Sequence, residues 1–269
     1  MAKRQATQPA HSGDAAPVAP SVLWKAFDVL GAFSESRRVL TLAQIVQRSG
    51  LPKSTAHRVL TMLLEVGAVE QHGGGYRMGL RMFTLGTLPP EVALRDAAQV
   101  HLEALHRLTG QTLHLATLRD GDVVYLEKLR SRNGLSSPAV VGGRLPAHCT
   151  AVGKAQLAFS GEQIVADVLS GPLPRRTARS ASSADEIRRQ LFSIRHTGFA
   201  VDRQEAVEGL ACVAVPVLVQ DRAVAAVSVG FPASEGSGQV LVNLLRQTSA
   251  AISRALLGSP VVDVVASAG

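Results

Sequence analysis

Lys53, Ser54, Thr55, His57 and Arg58 cluster in one short stretch, a combination suited to reading DNA. Arginine can pair bidentately with guanine O6 and N7, while Ser, Thr and Lys hold phosphate oxygens. Ala56, Val59, Leu60, Leu63 and Leu64 recur at helical spacing through the same stretch and define one buried stripe. Ser54, Arg58 and Thr61 then project from the opposite side, with Thr55 and His57 flanking them. Pro52 stands at the first turn, where a missing N–H costs nothing. A shorter helix is expected just before, over residues 42–48, with Thr41 as its N-cap and Gly50 as a left-handed stop; Thr41 is placed with the DNA-contacting set. Strands over 68–71 and 76–78 can pair across His72-Gly73-Gly74-Gly75, whose glycines permit positive φ. Arg77 on this hairpin would touch the phosphate backbone or minor groove, or simply solvate the hairpin. The layout is that of a winged helix-turn-helix. The bland alternative is a helical hairpin with a solvated polar face, against which the order of turn, proline, hydroxyls, arginine and wing weighs.

A second group of residues could hold a small molecule. Thr150-Ala151-Val152-Gly153 opens a helix with small side chains, which leaves backbone N–H groups reachable by an anion. Asp202 ends a strand, and Cys212 and Ser228 lie near two others. Backbone donors, one carboxylate and one hydroxyl in an apolar setting suit a ligand pocket. Capping a helix and satisfying strand ends would explain them equally well. Catalytic chemistry finds less support. Gly153-Lys154-Ala155 misses the phosphate-loop pattern, with His148 and Ala155 where Gly and Ser or Thr are needed. There is no G-x-S-x-G, H-E-x-x-H or C-x-x-C. The histidines at 101, 106, 114, 148 and 196 lack metal-ligand spacing and read as solvated or core residues. His148 and Cys149 are adjacent, so they do not form a catalytic pair. No catalytic set, metal or cofactor is expected.

Around these residues the chain reads as α+β. A helix over 21–34, capped by Ser21, carries Trp24, Phe27, Leu30 and Phe33 as core. A connecting helix over 80–88 stops at Pro89-Pro90, and a longer one spans 92–109 with Gly110 as its end. Strands follow over 112–118 and 123–129, joined by Arg119-Asp120-Gly121-Asp122. An irregular section over 130–145 precedes helices at 150–159 and 185–196, the latter capped by Ser182 or Ser183. Strands over 199–202, 213–219 and 223–229 and a helix over 239–257 complete an antiparallel sheet with helices. The expected organisation is a disordered tail at 1–20, a DNA-binding unit at 21–79, a linker helix at 80–91, a second domain at 92–258 and a tail at 259–269.

Composition agrees. The chain has 28 Lys+Arg against 21 Asp+Glu, a formal charge of +7. Residues 1–90 hold 10 basic and 5 acidic residues, so most of the surplus lies where phosphates would be met. No apolar run is long enough for a membrane, no signal-peptide h-region is visible, and two cysteines make no disulfide framework. A cytoplasmic protein without a membrane partner is expected.

Over about residues 22–257 the chain resembles the IclR family of bacterial transcription regulators. The matching segments are LAQIVQRSGLPKSTAHRVL, GGYRMGLRMFTLG, VGGRLPAHCTAVGKAQLAF, GFAVDRQEAVEGLACVAVPV and AAVSVGFP. The resemblance implies an N-terminal winged helix-turn-helix, a linker helix and a C-terminal GAF-like effector-binding domain. It also implies dimers or tetramers acting on palindromic double-stranded DNA operators near the genes they control. The family's ligand pocket falls on the backbone amides of Ala151 and Val152 and on Asp202, Cys212 and Ser228. The next inward position, where some members place a second serine, is Gly230. Ala211 also departs, since arginine is common before the cysteine. Losing a hydroxyl at Gly230 changes what the site can bond, so the effector is expected to differ from small oxo-acids, with an aromatic or larger carboxylic acid filling the extra room. The resulting expectation is a ligand-responsive transcriptional regulator of nearby metabolic genes. An enzyme domain tethered to DNA by a winged helix, or a non-specific architectural DNA binder, are the rivals.

Overall fold

The computed structural model describes residues 21–132, 137–235, 238 and 240–257, and these fall into two compact units divided between Leu88 and Pro89. The tails expected at 1–20 and 259–269 lie outside the described residues.

The first unit contains α1 (Val22–Leu30), β1 (Val39–Leu40), α2 (Leu42–Ser49), α3 (Lys53–Glu65), β2 (Val69–His72), β3 (Gly75–Met78) and α4 (Leu80–Gly86). Thr41 starts α2 through a capping box. Its Oγ1 accepts the Gln44 N–H at 3.3 Å, and Gln44 Oε1 accepts the Thr41 N–H at 2.9 Å. Gly50 ends α2 at φ +70°, a left-handed stop that turns the chain directly into α3. The three helices meet over Val29, Ala32, Ile45, Val59, Leu60 and Leu63.

The wing is tighter than the sequence suggested. Its tip is only Gly73-Gly74, at φ +53° and +76°, while Gly75 belongs to β3. Gly75 serves a different need: β1, not anticipated from the sequence, pairs with β3, and a Cβ at 75 would lie 2.8 Å from the Leu40 carbonyl oxygen.

α1 ends at Leu30 and not near residue 34: past Gly31 the Ala32 and Phe33 N–H groups bond to the Val29 and Leu30 carbonyls, a tighter turn than the α-helix. Trp24 and Phe27 are corrected as well. They are 57% and 68% exposed, not core. A two-and-a-half-turn helix packs only one stripe on its neighbours; here that stripe is Val29 with Ala26 and Leu30, and the aromatic residues face away.

The second unit contains α5 (Pro90–Thr109), β4 (Thr112–Arg119), β5 (Asp122–Leu129), β6 (Arg144–Pro146), α6 (Ala151–Leu157), α7 (Glu162–Ser170), α8 (Ala184–Thr197), β7 (Ala200–Arg203), β8 (Leu210–Val219), β9 (Arg222–Pro232) and α9 (Leu241–Leu256). Its six-stranded sheet has the order β6-β5-β4-β9-β8-β7, antiparallel throughout. The β4–β5 and β8–β9 hairpins turn on Asp120-Gly121 and Gln220-Asp221, all four with positive φ. α5 and α9 cover one face over Leu113, Leu115, Val213, Val215, Val227 and Val229. α6 and α8 cover the other over Ala116, Leu118, Cys212, Ala214 and Ala226. Strands covered on both faces read as apolar runs without alternation, as β8 does.

Three elements depart from expectation. β6 forms inside the section expected to be irregular, pairing with β5. α7 was not anticipated. α5 begins at Pro90, since proline's fixed φ and absent N–H suit a first helical position.

α6 packs unusually closely. A Cβ at Gly153 would lie 2.2 Å from the carbonyl oxygen of Ala147, in the 3-10 turn that precedes the helix. Both partners are backbone and cannot swing aside. Gly153→Ala is therefore expected to destabilise the protein by about 1–3 kcal/mol, seen as a lower urea midpoint at constant m. A wild-type midpoint would show that this close approach is not required.

Candidate functional site

On α3 the sequence-derived set separates from the core. Ala56, Val59, Leu60 and Leu63 are buried, whereas Lys53, Ser54, His57 and Arg58 are exposed and Thr55 is half-buried. The Thr61 hydroxyl donates to the His57 carbonyl at 3.1 Å, leaving its oxygen lone pairs outward. Thr41 is exposed, but its hydroxyl takes part in the α2 cap. Arg77 is engaged within the wing. Its Nε and Nη2 donate to Glu70 Oε2 at 3.0 and 2.8 Å, and Glu70 Oε1 accepts the Leu80 N–H at 3.0 Å. The Leu80 N–H, and then Arg77, hold the Glu70 carboxyl below its ordinary range. Any DNA contact by Arg77 must therefore be shared with Glu70.

In the second unit the strand register assembles a site from distant residues. Asp202 pairs with Cys212, Cys212 with Gly230, and Gly230 with Thr112. In the adjacent row Ala200 pairs with Ala214, Ala214 with Ser228, and Ser228 with His114. Paired residues share a face, and this face looks toward α6. Between sheet and helix lies a small cavity, with room for about one water molecule as it stands. Ala151, Val152, Asp202, Cys212 and Ser228 all line it. Gly230 stands beside it and not in its lining: a Cβ there would be 3.4 Å from Cys212 Sγ and 3.7 Å from His114 Cε1. A Cβ at Gly230 would thus sit in ordinary van der Waals contact with its neighbours.

The polar groups of the cavity are under strong constraint. Thr150 caps α6, its Oγ1 accepting the Gly153 N–H at 3.2 Å. The first-turn amides of Ala151 and Val152 have no acceptor inside the helix. Asp202 Oδ1 accepts the Glu205 N–H at 2.6 Å and the Ala206 N–H at 3.4 Å. Burial nevertheless dominates and pushes the Asp202 carboxyl up to about 7, against the lowering effect of the Glu205 amide. Close by, the buried Lys154 ammonium reaches Glu205 Oε1 at 2.6 Å, Gln190 Oε1 at 2.8 Å and the Val201 carbonyl at 2.8 Å.

Sequence reasoning missed His114, Tyr125, Leu145, Val207 and Leu210 as cavity walls. His114 is the consequential one. Its Nδ1 lies 3.3 Å from Ser228 Oγ and its ring meets Tyr125 edge-on at 5.4 Å. Burial, then the positive charge of Lys128, lowers its pKa to about 3. The β4–β5 turn is visible in the sequence, but the β4–β9 pairing that sets His114 beside Ser228 is not.

This arrangement suits binding better than catalysis. Ser228 and His114 resemble a nucleophile and its base, yet an imidazole that protonates only near 3 is a poor base at neutral pH. Burial pushes the Cys149 thiol up to about 12 and raises Cys212 as well, so neither is a thiolate nucleophile. Among the described residues no His, Cys, Asp and Glu cluster could hold a metal.

Asp202 also sets a pH dependence. A carboxyl raised on folding holds its proton more tightly than in the unfolded chain, so its ionisation costs stability as pH rises from about 4 to about 7. Asp202→Asn keeps an oxygen for the Glu205 amide and removes the charge. Its stability relative to wild type should climb across that window in urea midpoints taken along a pH series. A difference independent of pH would contradict the buried-carboxyl account.

Comparison with known proteins agrees with both halves of this picture. Residues 22–73 match the IclR helix-turn-helix domain, and residues 90–254 match the bacterial transcriptional regulator IclR C-terminal domain. The HTH-type transcriptional regulator XynR of Escherichia coli (strain K12) is 34% identical over 240 residues, covering 86% of this chain and 95% of that protein. KdgR of the same organism is 33% identical over 250 residues, covering 89% and 94%. An IclR homolog from Microbacterium hydrocarbonoxydans, solved in complex with 4-hydroxybenzoate, has a TM-score of 0.79 at 30% identity, covering 89% of this chain and all (100%) of that one. These named relatives are regulators, not enzymes. With the winged helix, the α+β second unit and its cavity in place, the chain belongs to the IclR family of DNA-binding bacterial transcriptional regulators with a ligand-binding C-terminal domain.

Proposed function

We propose that this chain reads a palindromic operator through α3 and changes its grip when a small organic acid enters the cavity of the second unit. One observation carries the reading: Ala151, Val152, Asp202, Cys212 and Ser228, drawn from α6 and three strands, meet in a single cavity. Gly230 completes the sheet row behind them. Amides of the first α6 turn suit the acceptor oxygens of an acid, and Asp202 suits a hydroxyl that donates. The 4-hydroxybenzoate held by the Microbacterium homolog combines both groups, which favours an aromatic hydroxy acid or a similar carboxylic acid here.

The division of labour follows. Residues 21–79 bind DNA, with Thr41, Lys53, Ser54, Thr55, His57, Arg58 and Arg77 as contacts; 80–91 link; 92–258 sense. Such a regulator works in the cytoplasm, where its operators are.

Self-association is part of this proposal. α1 exposes Leu23, Trp24 and Phe27, and α4 exposes Leu80, Phe83 and Leu85, each at least half open to solvent. Large apolar side chains gathered on two helices favour a protein partner over water, and a second copy provides the paired recognition helices a palindrome needs. Those helices must stand ~34 Å apart or a multiple of it. An effector that alters this spacing alters operator affinity, and operator binding then changes effector affinity by the same factor.

Arg58→Ala is expected to weaken specific operator binding by about 1–3 kcal/mol; unchanged affinity in a titration of the folded variant removes Arg58 from base readout. Asp202→Ala should bind operator normally and no longer respond to effector, so a wild-type dose-response would take Asp202 out of the site. Phe27→Glu combined with Phe83→Glu should shift the sedimenting species to monomer, and an unaltered oligomer would place the interface elsewhere.

A further inference from the structure

One buried group remains without a partner in the cavity wall. His114 is 3% exposed, lines the cavity, and its Nε2 makes no hydrogen bond in the structure. A buried polar nitrogen left unpaired is costly, and a native core seldom carries one without a use. The rest of the ring is accounted for. Nδ1 meets Ser228 Oγ, Cε1 lies over Gly230, and one edge packs on Tyr125.

Which nitrogen carries the proton follows from Ser228. It sits on β9, an interior strand paired with both β4 and β8. The Ser228 hydroxyl meets His114 Nδ1 at 3.3 Å, and a hydroxyl proton pointed there satisfies both groups at once. An imidazole that accepts at Nδ1 carries its own proton at Nε2. We infer that His114 Nε2–H is the donor with which the sheet wall of the cavity recognises an acceptor oxygen of an organic acid, and that Ser228 positions this imidazole instead of touching the ligand. The inference rests on the cavity being the effector site. The ring stays neutral throughout the ordinary pH range because burial holds it so, which makes the contact a directional hydrogen bond and not a charge attraction.

The test uses the full chain with ¹⁵N-labelled histidine rings at pH 7, with 4-hydroxybenzoate as the probe. Long-range ¹H–¹⁵N correlation should show His114, assigned by the signal lost in His114→Gln, as the Nε2–H tautomer. Ser228→Ala should turn it into a mixture of tautomers. Probe binding should move the Nε2 resonance, and His114→Phe should weaken probe affinity about tenfold, one lost hydrogen bond. An Nδ1–H tautomer overturns the inference, whatever binds. So does probe binding that is lost in Asp202→Ala yet unchanged in His114→Phe; that result leaves the cavity as the effector site. Probe binding that survives Asp202→Ala as well overturns the site itself, and no binding to the wild type overturns the proposed ligand class.

Discussion

The Lys154 ammonium, 1% exposed, is the constraint around which the second unit is arranged. A charge so deeply buried persists only if acceptors surround it. It finds them on three separate segments: Gln190 on α8, the Val201 carbonyl on β7, and Glu205 just after β7. Satisfying that one group therefore pins α6 to the far edge of the sheet and to the helix beside it. The carboxylate partner is then used twice. Glu205 answers Lys154 with its side chain and donates its backbone N–H to Asp202. The ion pair and the cavity carboxyl are consequently one connected network, and a ligand that draws on Asp202 also draws on the contact between α6 and β7.

The sheet makes the cavity possible by being buried on both faces. α5 and α9 close one side over large aliphatic residues. The side facing α6 is lined instead by Ala116, Cys212, Ala214 and Ala226. Small side chains leave space near the helix, and the polar residues that border this space are held within an apolar surround. Isolation from water is what raises Asp202 and keeps His114 neutral. It also makes each hydrogen bond to a ligand count for more than it would on the surface, and each missing one cost more. A binding site built this way discriminates by where oxygens and hydroxyls fall.

The first unit obeys a simpler logic. Its core is one stripe from each helix, and what remains on α3 is polar and exposed. The same sparing burial leaves the aromatic residues of α1 in solvent. Their types alone suggested core, because a hydrophobic residue in a sequence does not declare whether its partner lies within the chain or outside it.

Local order was legible wherever the signal was local. The Thr41 cap, the Gly50 and Gly110 stops, the α3 stripe and the Asp120-Gly121 turn follow from neighbouring residues and their φ preferences, so the sequence by itself determined the helix-turn-helix with its hairpin and the α+β class of the second unit, though not β1, β6 or α7. Ala151, Val152, Asp202, Cys212 and Ser228 were candidates by their types and by a resemblance, but nothing in their spacing brings them together. What only the tertiary structure decided is non-local: β4 beside β9, which sets His114 against Ser228; β1 against the wing, which explains Gly75; and Lys154 among three acceptors, in a stretch whose residues merely failed to make a phosphate loop. Each depends on contacts between positions far apart in the chain, whose loop-closure cost is met by the whole core at once, and no short stretch of sequence carries that information.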